Sequence, residues 1–176
     1  MHHKVVYHAM KVMNAPEWGF GWPVLRFNFR GTGLSQGAYD GRAEADDVLA
    51  ALDWLRDEFR KPIVAAGFSF GAAMALAASC GNCDTRDIRA VAALGLPIQS
   101  SHRTYEHPYL KHCPLPKLFL SGDRDEFAPC EQLAEVTSQA QQPSSTVFIP
   151  GSDHFFTGQL PAMQAGLATW LKELLS

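Results

Sequence analysis

The sequence lacks the features of nucleic-acid-binding, membrane-spanning and secreted proteins. Its 15 Lys and Arg residues form no cluster and the formal net charge is −3, whereas binding to phosphates needs clustered basic side chains. No apolar run approaches the roughly 20 residues that span a bilayer. Residues Met1 to Lys11 mix His, Lys and apolar residues without the apolar core of a signal peptide. We therefore expect a cytoplasmic protein that binds neither nucleic acid nor a membrane.

The sequence also lacks a regular cysteine framework. Its four cysteines, Cys80, Cys83, Cys113 and Cys130, are irregularly spaced. Cys80 and Cys83 form a C-x-x-C pair at the end of a predicted helix, whereas a redox pair usually lies at a helix N-terminus, where the dipole activates the thiol. No second pair completes a metal site. These observations predict four reduced, dispensable thiols, and neither a metal ion nor a cofactor.

The chain shows no internal repeat, low-complexity tract or linker, so we expect a single domain over residues 1–176. Helical and strand patterns alternate, which predicts a mostly parallel sheet with helices on both faces. Residues 99–116 have no clear period; they could cover a site but are too short for a large lid domain. The predicted helices span residues 4–14, 46–59, 70–80, 129–141 and 160–175, and the strands span 23–29, 62–68 (apolar and expected to be buried), 88–96, 117–121 and 145–149.

A G-x-S-x-G motif, Gly67-Phe68-Ser69-Phe70-Gly71, lies between a predicted strand and a predicted helix. In this context a serine occupies a sharp turn that lifts its hydroxyl above the sheet, and the flanking glycines avoid clashes with neighbouring backbone. The same turn directs the backbone N–H of Phe70 to the place where an oxyanion would form. The motif predicts that Ser69 is a nucleophile and that Phe70 is an oxyanion donor.

A serine nucleophile needs a base, and His154 is the strongest candidate. His154 lies in the segment Gly151-Ser-Asp-His-Phe-Phe, which follows the last predicted strand. That position brings it to the carboxyl edge of the sheet, where Ser69 also lies. The other histidines lie at the start of the chain or in the irregular stretch: His2, His3, His8, His102, His107 and His112.

A carboxylate must orient that histidine and stabilise its protonated form. Three acids follow the strand over residues 117–121, namely Asp123, Asp125 and Glu126, and spacing alone does not choose among them. Any of the three gives the order Ser, acid, His that is typical of one hydrolase fold.

Four stretches of the chain together resemble small bacterial α/β-hydrolases related to dienelactone hydrolases and short serine esterases. They are LRFNFRGTGLSQGAYDG, AGFSFG, LSGDRDEFAP and IPGSDHFF, and they are spread over most of the chain. The resemblance implies the α/β-hydrolase fold, with the second aspartate of the G-x-x-D turn, Asp125, as the acid. It also implies that the histidine of the D-H-F turn, His154, is the base.

The sequence departs from that family at two places. Dienelactone hydrolases in the narrow sense use cysteine as nucleophile, whereas this chain has Ser69. The chain also opens in the region that follows the family's second oxyanion loop. By analogy, about 30–50 residues are absent, including a strand beside the Ser69 strand. We expect that the start was assigned at an internal methionine or that the sequence is a fragment. We do not expect a naturally shortened protein.

The expected function is that of a serine hydrolase that cleaves small ester, thioester or lactone bonds through a Ser69–Asp125–His154 triad. One alternative is a catalytically weak or inactive hydrolase-like binding module that lacks part of the oxyanion hole. Another is an acyltransferase or haloperoxidase-like reaction on the same three residues. We expect the 176-residue chain by itself to hydrolyse and fold poorly, because the strand and the second oxyanion donor are lacking together.

Overall fold

A computed structural model describes residues 3–81, 87–100 and 103–176. Its main sheet has four parallel strands, which lie side by side in the order β1, β2, β5, β6. Two further strands, β3 and β4, form a short antiparallel pair. The strands are β1 (Ile63–Phe68), β2 (Ile88–Leu94), β3 (Gln99–Ser100), β4 (Arg103–Thr104), β5 (Lys117–Gly122) and β6 (Ser144–Ile149).

Five α-helices are described, and each lies where the sequence predicts one, with ends that differ by at most three residues. Acidic residues begin α2, where the helix dipole favours negative charge. Two 3₁₀ helices, Pro16–Trp18 and Pro108–His112, lie in the connections. The α-helices are α1 (Lys4–Asn14), α2 (Glu44–Phe59), α3 (Phe70–Gly81), α4 (Cys130–Ser138) and α5 (Leu160–Leu175).

Apolar residues cover both faces of the sheet. On one face, α1 and α5 pack with Ala90, Ala92 and Leu94 of β2. On the other face, α2, α3 and α4 pack with Val91 and Ala93 of the same strand. Successive residues of β2 therefore enter opposite layers of the core, because side chains alternate along a strand. This arrangement confirms the predicted parallel sheet with helices on both faces.

The predicted strand over residues 23–29 is not formed, and the prediction that β1 is buried is wrong. Residues 23–29 belong to no strand, and Leu25 and Phe27 are exposed. Ala66 in the middle of β1 is also exposed. The physical reason is that, within the described residues, no strand pairs with either the segment or the outer edge of β1. A strand needs a hydrogen-bonded partner, and an edge strand stays open on one side.

A cavity of about 620 Å³ lies between residues 25–29 and β1. Its apolar floor includes Val48, Leu52 and Leu55 of α2. A smaller cavity of about 100 Å³ lies on the α1 side of the same gap. Next to the segment, the Arg30 guanidinium forms an ion pair with Asp47 of α2 and donates to it at 2.6 Å. This contact holds the pKa of the Asp47 carboxyl below its usual range.

The prediction that all four thiols are reduced is wrong for two of them. Cys80 at the end of α3 and Cys113 after the second 3₁₀ helix form a disulfide, with their Cα atoms 5.0 Å apart. Local spacing did not reveal this pair, because the tertiary fold brings together residues that are 33 positions apart. Cys130 is a free thiol, and Cys83 lies outside the described residues.

Candidate active site

Ser69 occupies the turn between β1 and α3. Its φ is +53°, a left-handed conformation that is rare for a residue with a side chain and that marks a strained turn. A Cβ at Gly67 would overlap the carbonyl of Gly71, so the turn can form only with glycine at position 67. Phe70 is the first residue of α3, and the first N–H groups of a helix have no acceptor within that helix. The turn thus presents a hydroxyl and a free donor together.

His154 and Asp125 complete a chain of hydrogen bonds from Ser69. The Nε2 atom of His154 lies 2.9 Å from the Ser69 Oγ, and its Nδ1 atom lies 2.8 Å from Asp125 Oδ2. A carboxylate only accepts, so Nδ1 donates to Asp125 and Nε2 is left to accept from the serine hydroxyl. Both Asp125 and His154 are 3% exposed. The histidine is therefore placed to remove a proton from Ser69.

Four donors hold the Asp125 carboxylate. Its Oδ1 accepts the backbone N–H groups of Phe127 at 2.9 Å and Ala128 at 3.2 Å. Its Oδ2 accepts the hydroxyl of Ser121 at 3.0 Å as well as the His154 ring. No motif in the sequence points to Ser121. The two backbone contacts could have been anticipated, because an aspartate at the start of a loop commonly caps the N–H two residues later.

The path of His154 across the sheet depends on Gly95. Gly95 follows β2 with φ +55°, and a Cβ there would stand 3.2 Å from the His154 ring and 3.1 Å from the Phe68 ring. His154 starts beyond β6, at one side of the sheet, and reaches Ser69 beyond β1. The ring crosses over the end of β2, where a side chain at position 95 would crowd it.

Aromatic rings lie on both sides of Ser69. Phe70 contacts Phe29 and Tyr39 on one side, with ring centroids 5.5 and 5.4 Å apart. On the other side, Phe68, Phe127 and Phe155 surround the His154 ring at centroid distances of 4.6 to 5.1 Å. The cavity beside β1 opens between these two groups and reaches Ser69. Its lining is apolar enough to accept a hydrocarbon or aryl group next to Ser69.

Two further titratable groups lie close to His154. His3 precedes α1, and its ring centroid is 4.6 Å from that of Phe68. Partial burial and the proximity of His154 lower the pKa of His3. Asp153 accepts the backbone N–H groups of Phe155 and Thr157, and the Thr157 bond is the main reason why the pKa of Asp153 is lowered. Asp153 turns away from the hydrogen-bond chain to cap its own loop.

The other candidates from the sequence lie apart from this chain of hydrogen bonds. Asp123 and Glu126 are exposed, and neither has a bond to His154. His107 bonds instead to the Tyr109 hydroxyl and the Pro97 carbonyl, and burial lowers its pKa. His112 is exposed, and His8 lines a different cavity. His2 and His102 lie outside the described residues.

In the described parts of the chain, no three His, Cys, Asp or Glu side chains are grouped so that they could hold a metal ion. The helices described there include none that is both long and apolar enough to cross a bilayer.

The chain is similar in sequence or in structure to several bacterial proteins. The protein RP471 of Rickettsia prowazekii is 34% identical over 164 residues, which cover 89% of this chain and 66% of RP471. An alpha-beta serine hydrolase homologue from Coxiella burnetii is 31% identical, with a TM-score of 0.83 over 96% of this chain and 76% of its own. A serine hydrolase without lid from Xanthomonas campestris is 27% identical, with a TM-score of 0.83 over 98% and 74% of the two chains.

This chain spans about two thirds of the length of the curated relatives that it matches. A dienelactone hydrolase from Anabaena variabilis shares the fold at 23% identity, with a TM-score of 0.59 over 74% of this chain and 59% of its own. The family model described as an alpha/beta hydrolase domain matches residues 9–167, which include the turn at Ser69 and the loop that carries His154. The chain therefore belongs to the alpha/beta hydrolase family.

Proposed function

We propose that this protein is a serine hydrolase that cleaves esters of small, apolar acyl groups through an acyl-enzyme. The observation that carries the proposal is the continuous line of hydrogen bonds from Ser69 through His154 to Asp125. The three residues follow the carboxyl ends of β1, β5 and β6, the edge at which open α/β sheets bind ligands.

In the proposed first step, the Ser69 Oγ attacks the carbonyl carbon while His154 Nε2 takes the hydroxyl proton. Asp125 stabilises the imidazolium that forms, and the Phe70 N–H donates to the oxyanion. The carbon–oxygen bond to the leaving alcohol then breaks, and His154 returns its proton to that oxygen. In the second step, water attacks the acyl-enzyme by the same route and releases the acid.

The apolar cavity supports the proposed substrate class. The rings of Phe29, Phe70 and Phe127 line it beside Ser69, and no Asp or Glu of the described residues does. Burial of an apolar acyl group there is favoured by roughly 25 cal/mol for each Å² removed from water. Thioesters and lactones of similar size would use the same steps, since each has an acyl carbon and a leaving group that accepts the proton.

A second candidate, a catalytically weak hydrolase-like module, is favoured by the open edge of β1. The gap lies next to Ser69, and the turn at Ser69 offers the Phe70 N–H as an oxyanion donor. Loss of one oxyanion donor typically costs on the order of 100- to 1,000-fold in rate.

Labelling with a fluorophosphonate and hydrolysis of p-nitrophenyl butyrate together test both candidates. We expect Ser69→Ala to abolish labelling and to lower hydrolysis by on the order of 1,000-fold or more. Ser79→Ala is the matched control, because Ser79 is a buried serine in α3 whose hydroxyl has no partner. Equal labelling of Ser69→Ala and the native chain would refute the hydrolase proposal. Labelling of Ser69 without measurable turnover would favour the weak module.

A further inference from the structure

Ser121 is the last-but-one residue of β5, and its side chain is completely buried. Its hydroxyl donates to Asp125 Oδ2 at 3.0 Å, the same oxygen that accepts from His154 Nδ1 at 2.8 Å. Oδ1 is occupied by the backbone donors of the loop that follows. Ser121 is therefore the side chain, besides His154 itself, that donates to the histidine-facing oxygen.

When an oxygen accepts a hydrogen bond, the donor withdraws part of the negative charge of that oxygen. The oxygen is then a weaker acceptor for a second donor. In a buried site, where water does not compete, this sharing is stronger than at a surface. Asp125 and His154 are almost fully buried, and Ser121 is fully so. The Ser121 hydroxyl must therefore weaken the attraction between Asp125 and a protonated His154, while it also fixes the direction of the carboxylate.

We propose that Ser121 is a positioning residue whose hydroxyl sets how readily His154 accepts a proton, by sharing Asp125 Oδ2 with it. This inference rests on the proposed function for its role in catalysis, but the effect on His154 is a property of the folded protein.

Other groups also influence His154 and must be held constant. His3 approaches from the start of α1, and Asp153 is its neighbour in the loop. The Cys130 thiol faces Asp125 and Asp123, and its pKa is raised mainly by burial. Three aromatic rings that do not titrate, those of Phe68, Phe127 and Phe155, also pack on the imidazole. None of these groups is altered by a change at position 121.

The first test is an NMR titration of the His154 imidazole in the full chain, with a His154→Gln variant to assign its signals. We expect Ser121→Ala to raise the midpoint by on the order of half a pH unit to one unit. Ser121→Cys, which is nearly isosteric but a weaker donor, should give a smaller upward shift. Ser79→Ala should give none. An unchanged midpoint in Ser121→Ala would mean that Ser121 only fills space, and would overturn the proposal.

The second test is the pH dependence of the fluorophosphonate labelling rate. In Ser121→Ala, the acid limb of the pH–rate profile should move to higher pH by the same amount as the NMR midpoint. If Ser121→Ala does not fold, Ser121→Cys is used for both measurements. If the midpoint shifts while Ser69 is never labelled, the positioning role stands and the proposed hydrolase function fails. If labelling is normal and the midpoint does not shift, the function stands and the positioning role fails.

Discussion

Breaking the Cys80–Cys113 disulfide should lower the free energy of unfolding by about 4 kcal/mol at 25 °C. The disulfide closes a loop between residues that are 33 positions apart. In the chain-entropy model, a loop of that length restricts the unfolded chain by about 13 cal/mol/K, which gives the quoted free energy. For a chain of this size the midpoint of thermal unfolding should fall by about 8–15 °C. The disulfide joins the end of α3, the helix that follows Ser69, to the loop before β5, so it ties together two parts of one core.

The assay is urea unfolding of the air-oxidised chain with and without reductant, followed by tryptophan fluorescence. The native chain in reductant and Cys80→Ala without it should unfold at the same, lower urea concentration. Cys130→Ala, which removes a free thiol, should keep the stability of the oxidised native chain. If the oxidised and reduced native chains unfold at the same concentration, the reasoning is wrong.

Peptide mapping identifies the bonded cysteine. Only Gly81 and Asn82 separate Cys80 from Cys83, so trypsin leaves both cysteines on one peptide. A Cys83→Ser variant resolves this ambiguity: the crosslink to the Cys113 peptide should persist in Cys83→Ser and disappear in Cys80→Ala. Because disulfides persist mainly in oxidising compartments, the same measurement on protein taken directly from cells also bears on the predicted cytoplasmic location.

Three further predictions concern the site and the core. Asp125→Asn should lower ester hydrolysis by on the order of 10,000-fold, whereas Asp123→Asn, in an exposed loop, should keep most of the kcat/KM; the reverse result would move the acid role to Asp123. Gly67→Ala should abolish fluorophosphonate labelling and lower the thermal midpoint, because its Cβ would overlap the first turn of α3; Gly81→Ala, with open space around it, should do neither. Burial lowers the pKa of Lys117 to about 8, so in alkaline solution the unfolded chain binds more protons than the folded one. The contribution of Lys117 to stability should therefore rise between about pH 8 and pH 10.5, and Lys117→Met should abolish this contribution in urea titrations; an equal rise in the variant would contradict it.

The sequence by itself determined the five α-helices, the four strands of the main sheet and their order along the chain. The apolar periodicity of residues 4–14 and 160–175 reproduces α1 and α5 residue for residue, because an amphipathic pattern fixes which face a helix buries. The turn at Ser69 could also be recognised from the sequence, because the overlap that requires glycine at position 67 arises within five consecutive residues. The segment over residues 23–29 shows the limit of such patterns. Its strand-like sequence forms no strand in the described structure, because strand formation depends on a partner that lies elsewhere.

The tertiary structure alone decided which distant groups meet. Ser69 and His154 are 85 positions apart, and Asp125 and His154 are 29 apart, so their contacts depend on how parallel strands are ordered in the sheet. Sequence spacing did not distinguish among three candidate acids, and the family resemblance favoured Asp125. The fold buries Asp125 against the histidine, whereas the other two acids are exposed to solvent. The Cys80–Cys113 pair and the Ser121 hydroxyl had no local signal at all. Each acts through a neighbour that only the packed chain supplies.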